Sequence, residues 1–174
     1  MKLSFKFLLL ASMMLSFACA SAQTNAPTWD KLQFLIGNWK GGEGVYWNTQ
    51  LSFTFDLQHR LIVQRIHGDY PEVLGHPAHS EDTLMIIYTD QVTEKLRADL
   101  FDQFGGTLHS AVETAPDAQA VTFISEPDML GHRFRTTYTR RTDGALSIRT
   151  LMAEPGRSDF NLMNEGVAYK NLEH

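Results

Sequence analysis

Beyond residue 50 the chain alternates apolar and polar residues with period two, and this limits its fold more than any other feature. Leu51, Phe53, Phe55 and Leu57 alternate with Ser52, Thr54 and Asp56. Period two places successive side chains on opposite faces of an extended strand. The same texture returns in LIVQRIH from Leu61, and in the nearly continuous apolar run DTLMIIYTD from Asp82. Leu96, Ala98 and Leu100 alternate with Arg97, Asp99 and Phe101, and TLHSAV from Thr107 and AVTFIS from Ala120 follow. His132, Phe134, Thr136 and Tyr138 share one face of the next strand, with Arg133, Arg135, Thr137 and Thr139 on the other. ALSIRTLM from Ala145 and DFNLMNEGVAYK from Asp159 close the series. Turn chemistry separates the runs at Gln58-His59-Arg60, Gly105-Gly106 and Thr142-Asp143-Gly144. With a strand beginning at Asn38 there are ten. Short connections between them predict an all-β fold, a single antiparallel up-and-down barrel, because closure removes exposed strand edges. A two-sheet sandwich has the same periodicity and is the alternative.

One segment departs from period two. In PTWDKLQFLIG, Trp29, Leu32 and Ile36 fall on one helical face, Thr28 suits an N-cap and Gly37 a stop. This predicts a helix of two to three turns plugging one end of the barrel. Trp39 follows at once, between Gly37 and the glycines Gly41, Gly42 and Gly44. An indole buries a large apolar body, and glycines suit a strand that bends sharply or meets another backbone closely. Gly37, Trp39, Gly41 and Gly44 therefore form a structural motif, and Trp39 is also a candidate for lining a cavity.

The first 22 residues have a different purpose. Lys2 and Lys6 precede an 11-residue apolar core from Phe7 to Phe17, and Ala20-Ser21-Ala22 follows. Those are the three parts of a secretory signal peptide, with cleavage expected after Ala22. The core is too short to span a bilayer as a helix. Ser16 stands where a lipoprotein signal carries leucine, so a lipid anchor on Cys19 is not expected. Export to the periplasm or the medium is the expectation. Residues 23–174 then form one domain with 20 acidic residues against 13 basic ones, two fewer than the full chain's 15, a net charge of −7. An acidic balance argues against nucleic acid as a partner. No cysteine remains, so packing and hydrogen bonds must hold the fold.

A short helix, a glycine and a tryptophan on the first strand are how lipocalin-like barrels begin. FLIGNWKGGEG, residues 34–44, resembles the F-L-x-G-x-W-x-G-x-G opening of nitrobindin-like and related bacterial calycin barrels. Tyr88-Thr89-Asp90, then Leu100-Phe101-Asp102-Gln103-Phe104-Gly105-Gly106, is similar to the Y-D … F-D-S-x-G pattern of the DUF1579 type, a bacterial family of unknown function. The resemblance touches most of residues 28–172 and implies a ligand-binding barrel. Nitrobindins bind haem through a histidine on a late strand, in a pattern like H-L-x-A-x-L-x-R. The last strand here has no histidine; aligning its terminal basic residue puts Met163 at the ligand position. Methionine can ligate haem iron, which makes Met163 a candidate.

The remaining polar chemistry gathers in HGDYPEVLGHPAHSED, residues 67–82. It reads as a loop of about 14 residues, of the kind that forms a cavity mouth. His67, His76 and His79 stand there with Asp69, Glu72, Glu81 and Asp82, donors of the type that bind zinc, though in no standard spacing. They are ligand-contact candidates. His132 and Tyr138 join them if their strand face points inward. If the other face does, Arg133, Arg135 and Arg149 would offer guanidinium forks to a carboxylate. No G-x-S-x-G, H-E-x-x-H or cysteine nucleophile is present, and Asp99 and Asp102 point to opposite faces. The leading expectation is a small apolar or amphipathic ligand held inside a barrel. The alternatives are a metal-assisted enzyme using the His67–His79 loop and a ligand-free domain acting through protein contacts.

Overall fold

In a computed structural model, residues 29–44, 48–72 and 77–171 are described. The expected signal peptide, Cys19, Thr28 and His76 lie outside them. Ten strands form where the alternation predicts: β1 (Gly37–Gly44), β2 (Thr49–Asp56), β3 (Leu61–Tyr70), β4 (His79–Thr89), β5 (Leu96–Asp102), β6 (Thr107–Thr114), β7 (Ala120–Ser125), β8 (Arg133–Arg140), β9 (Leu146–Ala153) and β10 (Asn161–Lys170). Each pairs antiparallel with its chain neighbour, and β1 pairs with β10, so the sheet is a closed barrel. The sandwich alternative falls with that last pairing.

Directly opposed residues share a face, so the register sorts inside from outside. Phe53 faces Gln64, Gln64 faces Met85, and Met85 faces Leu100. Phe123 faces Thr136, and Tyr138 lies between Val121 and Ile148. Phe53, Ile62, Ile87, Val121, Leu146 and Ile148 are fully buried and form the centre of the core. Phe53 and Phe123 each meet the Tyr138 ring edge-on, at centroid distances of 5.6 and 5.8 Å. The opposite rows face outward and carry Arg65, Arg97, Asp99, Arg135, Arg149 and Glu165. No described helix is long and apolar enough to cross a membrane.

Three expectations are corrected. The N-terminal element is only a 3-10 segment, Trp29–Leu35, in place of the expected helix with Trp29, Leu32 and Ile36 on one face. Three residues per turn stack positions i and i+3. The fully buried pair is accordingly Leu32 and Leu35, not Leu32 and Ile36. The 14-residue loop is mostly strand: β3 runs to Tyr70 and β4 starts at His79, with Tyr70 opposite His79. The ladder continues there because polar side chains on both strands pair across it. Leu57 leaves the apolar row of β2 and is 63% exposed in the turn, where Leu57, Gln58 and His59 all take left-handed backbone, φ 46, 58 and 65°.

The glycine-rich opening is explained by the β1–β10 seam. The register slips between Gly41 and Glu43, so Gly42 sits in a bulge. A Cβ at Gly42 would enter the Tyr169 ring, and one at Gly44, φ 68°, would strike the Glu165 carbonyl.

Aspartates build the turns. Asp102 accepts the N–H groups of Phe104 (2.9 Å) and Gly106 (2.7 Å). Asp90 accepts those of Val92 and Thr93, and the Thr93 hydroxyl. The bonds from Thr93 hold the Asp90 carboxyl below its ordinary range. The aspartates of the Tyr88–Asp90 and Leu100–Gly106 motifs thus satisfy backbone donors at chain reversals, which is the usual use of Asp in turns.

Candidate functional site

Among the described residues, the inward rows line a partly open space. A cavity of about 140 Å3 lies between the β5–β6 and β7–β8 ends of the barrel and the aromatic layer around Tyr138. Ile66, Met85, Leu100, Leu108, Phe123 and Phe134 give it apolar walls. Gln64, Ser110, Ser125, Thr136, Tyr138 and Thr150 supply polar groups. Alternation explains this mixture: each position has inward parity, but these strands place hydroxyls where a filled core would carry Val or Leu.

These polar groups are buried and partly joined. Gln64 is 1% exposed, and its side-chain amide donates to the Tyr138 hydroxyl at 2.8 Å. Ser125 Oγ accepts the Phe134 N–H at 2.7 Å, and Thr136 and Thr150 share a hydrogen bond of 3.1 Å. Ser110 stands opposite Ser125 in the ladder. Next to Thr150 on β10 is Asn164, after a second bulge between Leu162 and Asn164. Its Oδ1 is buried and accepts no hydrogen bond. Asn164 is not among the residues that line the cavity.

The candidates from the sequence are placed as follows. Tyr138 lines the cavity. Trp39 is 3% exposed and faces inward; its indole N–H donates to the Leu35 carbonyl at 2.7 Å, and Lys170 Nζ lies 5.4 Å from the ring centroid. It ties the 3-10 segment to β1 and does not line the cavity. His132 precedes β8 rather than belonging to it, with Asp128 at 3.4 Å and Glu154 at 3.5 Å. His67 and His79 are outside the barrel. His67 Nδ1 is 2.9 Å from Asp82, and Asp69 is 3.6 Å from Nε2. The bond to Asp82 leads the effects that raise the His67 pKa above its ordinary 6.5. His79 stacks on Tyr70 at 5.2 Å, 3.3 Å from Glu81. Among the described residues no group of three His, Cys, Asp or Glu side chains is placed to hold a metal ion.

Met163 is 55% exposed at the β10 bulge and lines no part of the cavity. That position does not fit haem ligation from inside the barrel. Arg133 and Arg135 point outward, their guanidinium carbons 5.3 and 4.3 Å from the Phe160 ring centroid, and Arg149 is exposed. The inward row is Phe134, Thr136 and Tyr138.

A wider groove of about 680 Å3 crosses the outer face of β1 to β5, past Asn38, Gln50, Arg65, His67, Asp82 and Gln103. It is open to solvent, and its polar groups bind one another: Asp82 holds His67, and the Asp82 N–H donates to Gln103. The inner cavity is smaller but is lined by four of the buried polar residues, Gln64, Ser110, Ser125 and Thr150. The sequence pattern missed Gln64, Ser110, Ser125 and Thr150, because scattered polar side chains on amphipathic strands look like outward positions. Only their parity relative to Leu or Phe neighbours marks them as inward.

No protein-family model matches the chain, and a search of curated proteins returns no match.

Proposed function

We propose that this chain is an exported, calycin-like barrel protein, of the DUF1579 type, that holds a small apolar or amphipathic molecule inside the barrel. The observation that carries the reading is the cavity with apolar walls and buried hydroxyls at one end of a closed barrel. A few convergent polar groups in an apolar, concave site are the ordinary composition of a ligand pocket. The 3-10 segment supports it by packing on the core: Trp29 meets the Phe55 ring at 6.3 Å, and Leu32 and Leu35 are buried in the same cluster. The charged outward rows suit an exterior in water, since charges on a hydrocarbon-facing surface are costly. Export rests on the signal-peptide pattern of residues 1–22.

A native mass spectrum of protein purified from an exporting host, with no ligand added, tests this. Extra mass that leaves on denaturation supports the proposal and identifies the class of molecule. A bare polypeptide mass, unchanged after incubation with small amphipathic compounds, refutes ligand holding.

A further inference from the structure

The cavity lining narrows what it accepts. Among the described residues, no Asp, Glu, Lys, Arg or His lines it. Burying an unpaired carboxylate or ammonium in such a site costs several kcal/mol, and nothing there offsets that cost. A charged ligand is therefore rejected. Volume sets a second limit. A cavity of roughly 150 Å3 holds one benzene-sized molecule, whereas drug-sized ligands need roughly 300 Å3 or more. At about 140 Å3, this one admits a single ring or a short chain.

Polarity sets the third limit. Thr136, Thr150, Ser110 and Ser125 present hydroxyls from four adjacent strands, and the Ser125 oxygen already accepts a backbone N–H. A purely apolar ligand offers these hydroxyls nothing beyond the bonds they already make, and leaves the Ser110 hydroxyl facing it without a partner. A molecule with a hydroxyl or amide adds a hydrogen bond to this row.

We infer that the cavity selects a neutral molecule, of single-ring size, that carries a hydrogen-bonding group: a phenol, a small alcohol or a primary amide. This rests on the ligand-holding reading above and specifies the ligand class.

The test uses the purified exported protein with the Met85 methyl group as an NMR reporter, because Met85 lines the cavity and is 6% exposed. Phenol, toluene and benzoate are titrated separately. Phenol should shift Met85 saturably, toluene should bind about tenfold more weakly, and benzoate should leave Met85 unmoved. The double substitution Thr136→Val with Thr150→Val removes both partners of one hydrogen bond while keeping shape. It should weaken phenol about tenfold and strengthen toluene. Toluene or benzoate binding as tightly as phenol overturns the inferred class and leaves ligand holding intact. If no probe moves Met85, both the class and the holding of small molecules in this cavity are overturned.

Discussion

Replacing Trp39 by Phe probes how the chain's opening is fastened to the barrel. The indole is 3% exposed, and its N–H donates to a carbonyl on Leu35, a residue with no exposed surface. Phe keeps an aromatic face for Lys170, whose Nζ lies 5.4 Å from the ring. It removes the donor. Water cannot replace it, so the Leu35 carbonyl is left unpaired at a cost of about 1–3 kcal/mol. The smaller ring also gives up on the order of 40 Å2 of buried apolar surface, about 1 kcal/mol at roughly 25 cal/mol per Å2. The two effects together destabilise by about 2–4 kcal/mol. For a domain of this size that lowers Tm by about 5–15 °C. Urea unfolding followed by far-UV circular dichroism reads it directly, since the midpoint does not depend on the amplitude that the indole adds to the signal. The midpoint should fall with the slope unchanged. A loss below about 1 kcal/mol would show that the Trp39–Leu35 bond does not fasten the 3-10 segment, and would refute the reasoning.

Three further outcomes follow from the geometry. Gly44→Ala should cost about 2 kcal/mol or more, because it meets the Glu165 carbonyl in left-handed backbone, whereas Gly105→Ala, φ 87° with nothing within 4 Å, should cost about 1 kcal/mol; paired urea midpoints compare them. Gln58→Gly should stabilise by about 0.5–1 kcal/mol, since it relieves one of three successive left-handed residues in the β2–β3 turn and loses part of that gain to a freer unfolded chain; a lower midpoint than the parent would refute this. The raised pKa of His67 makes its stabilisation of the β3–β4 pairing complete below its unfolded pKa and lost as pH rises through the folded one. NMR titration should place the His67 midpoint above 6.5, and Asp82→Asn should bring it down; a midpoint indifferent to Asp82 would count against the pair.

Much of the barrel is legible in the chain because strand formation and facing are local properties. Leu51 to Phe55, Leu96 to Leu100 and Phe134 to Tyr138 each alternate strictly, and alternation dictates an extended segment with one buried face. The turns are legible for the same reason: Asp102 and Asp143 bond to N–H groups only two to four residues away. The boundaries around His67 and His79 were not, since polar residues on both strands hide a ladder that shows only when Tyr70 is found opposite His79. The cavity was the least legible. Tyr138 could be named as a candidate, but which face of its strand was inside depended on partners elsewhere in the chain.

By itself, then, the sequence determined ten strands, their order of turns and the aromatic anchor at Trp39, all from spacing within a dozen residues. Only the tertiary structure decided that β1 meets β10, that Arg133 and Arg135 stack outside on Phe160, and that Gln64 reaches Tyr138 across 74 positions of chain. Those facts come from barrel closure, which joins residues far apart in sequence. A periodicity of two states that a strand has two faces; closure is what assigns one of them to the interior.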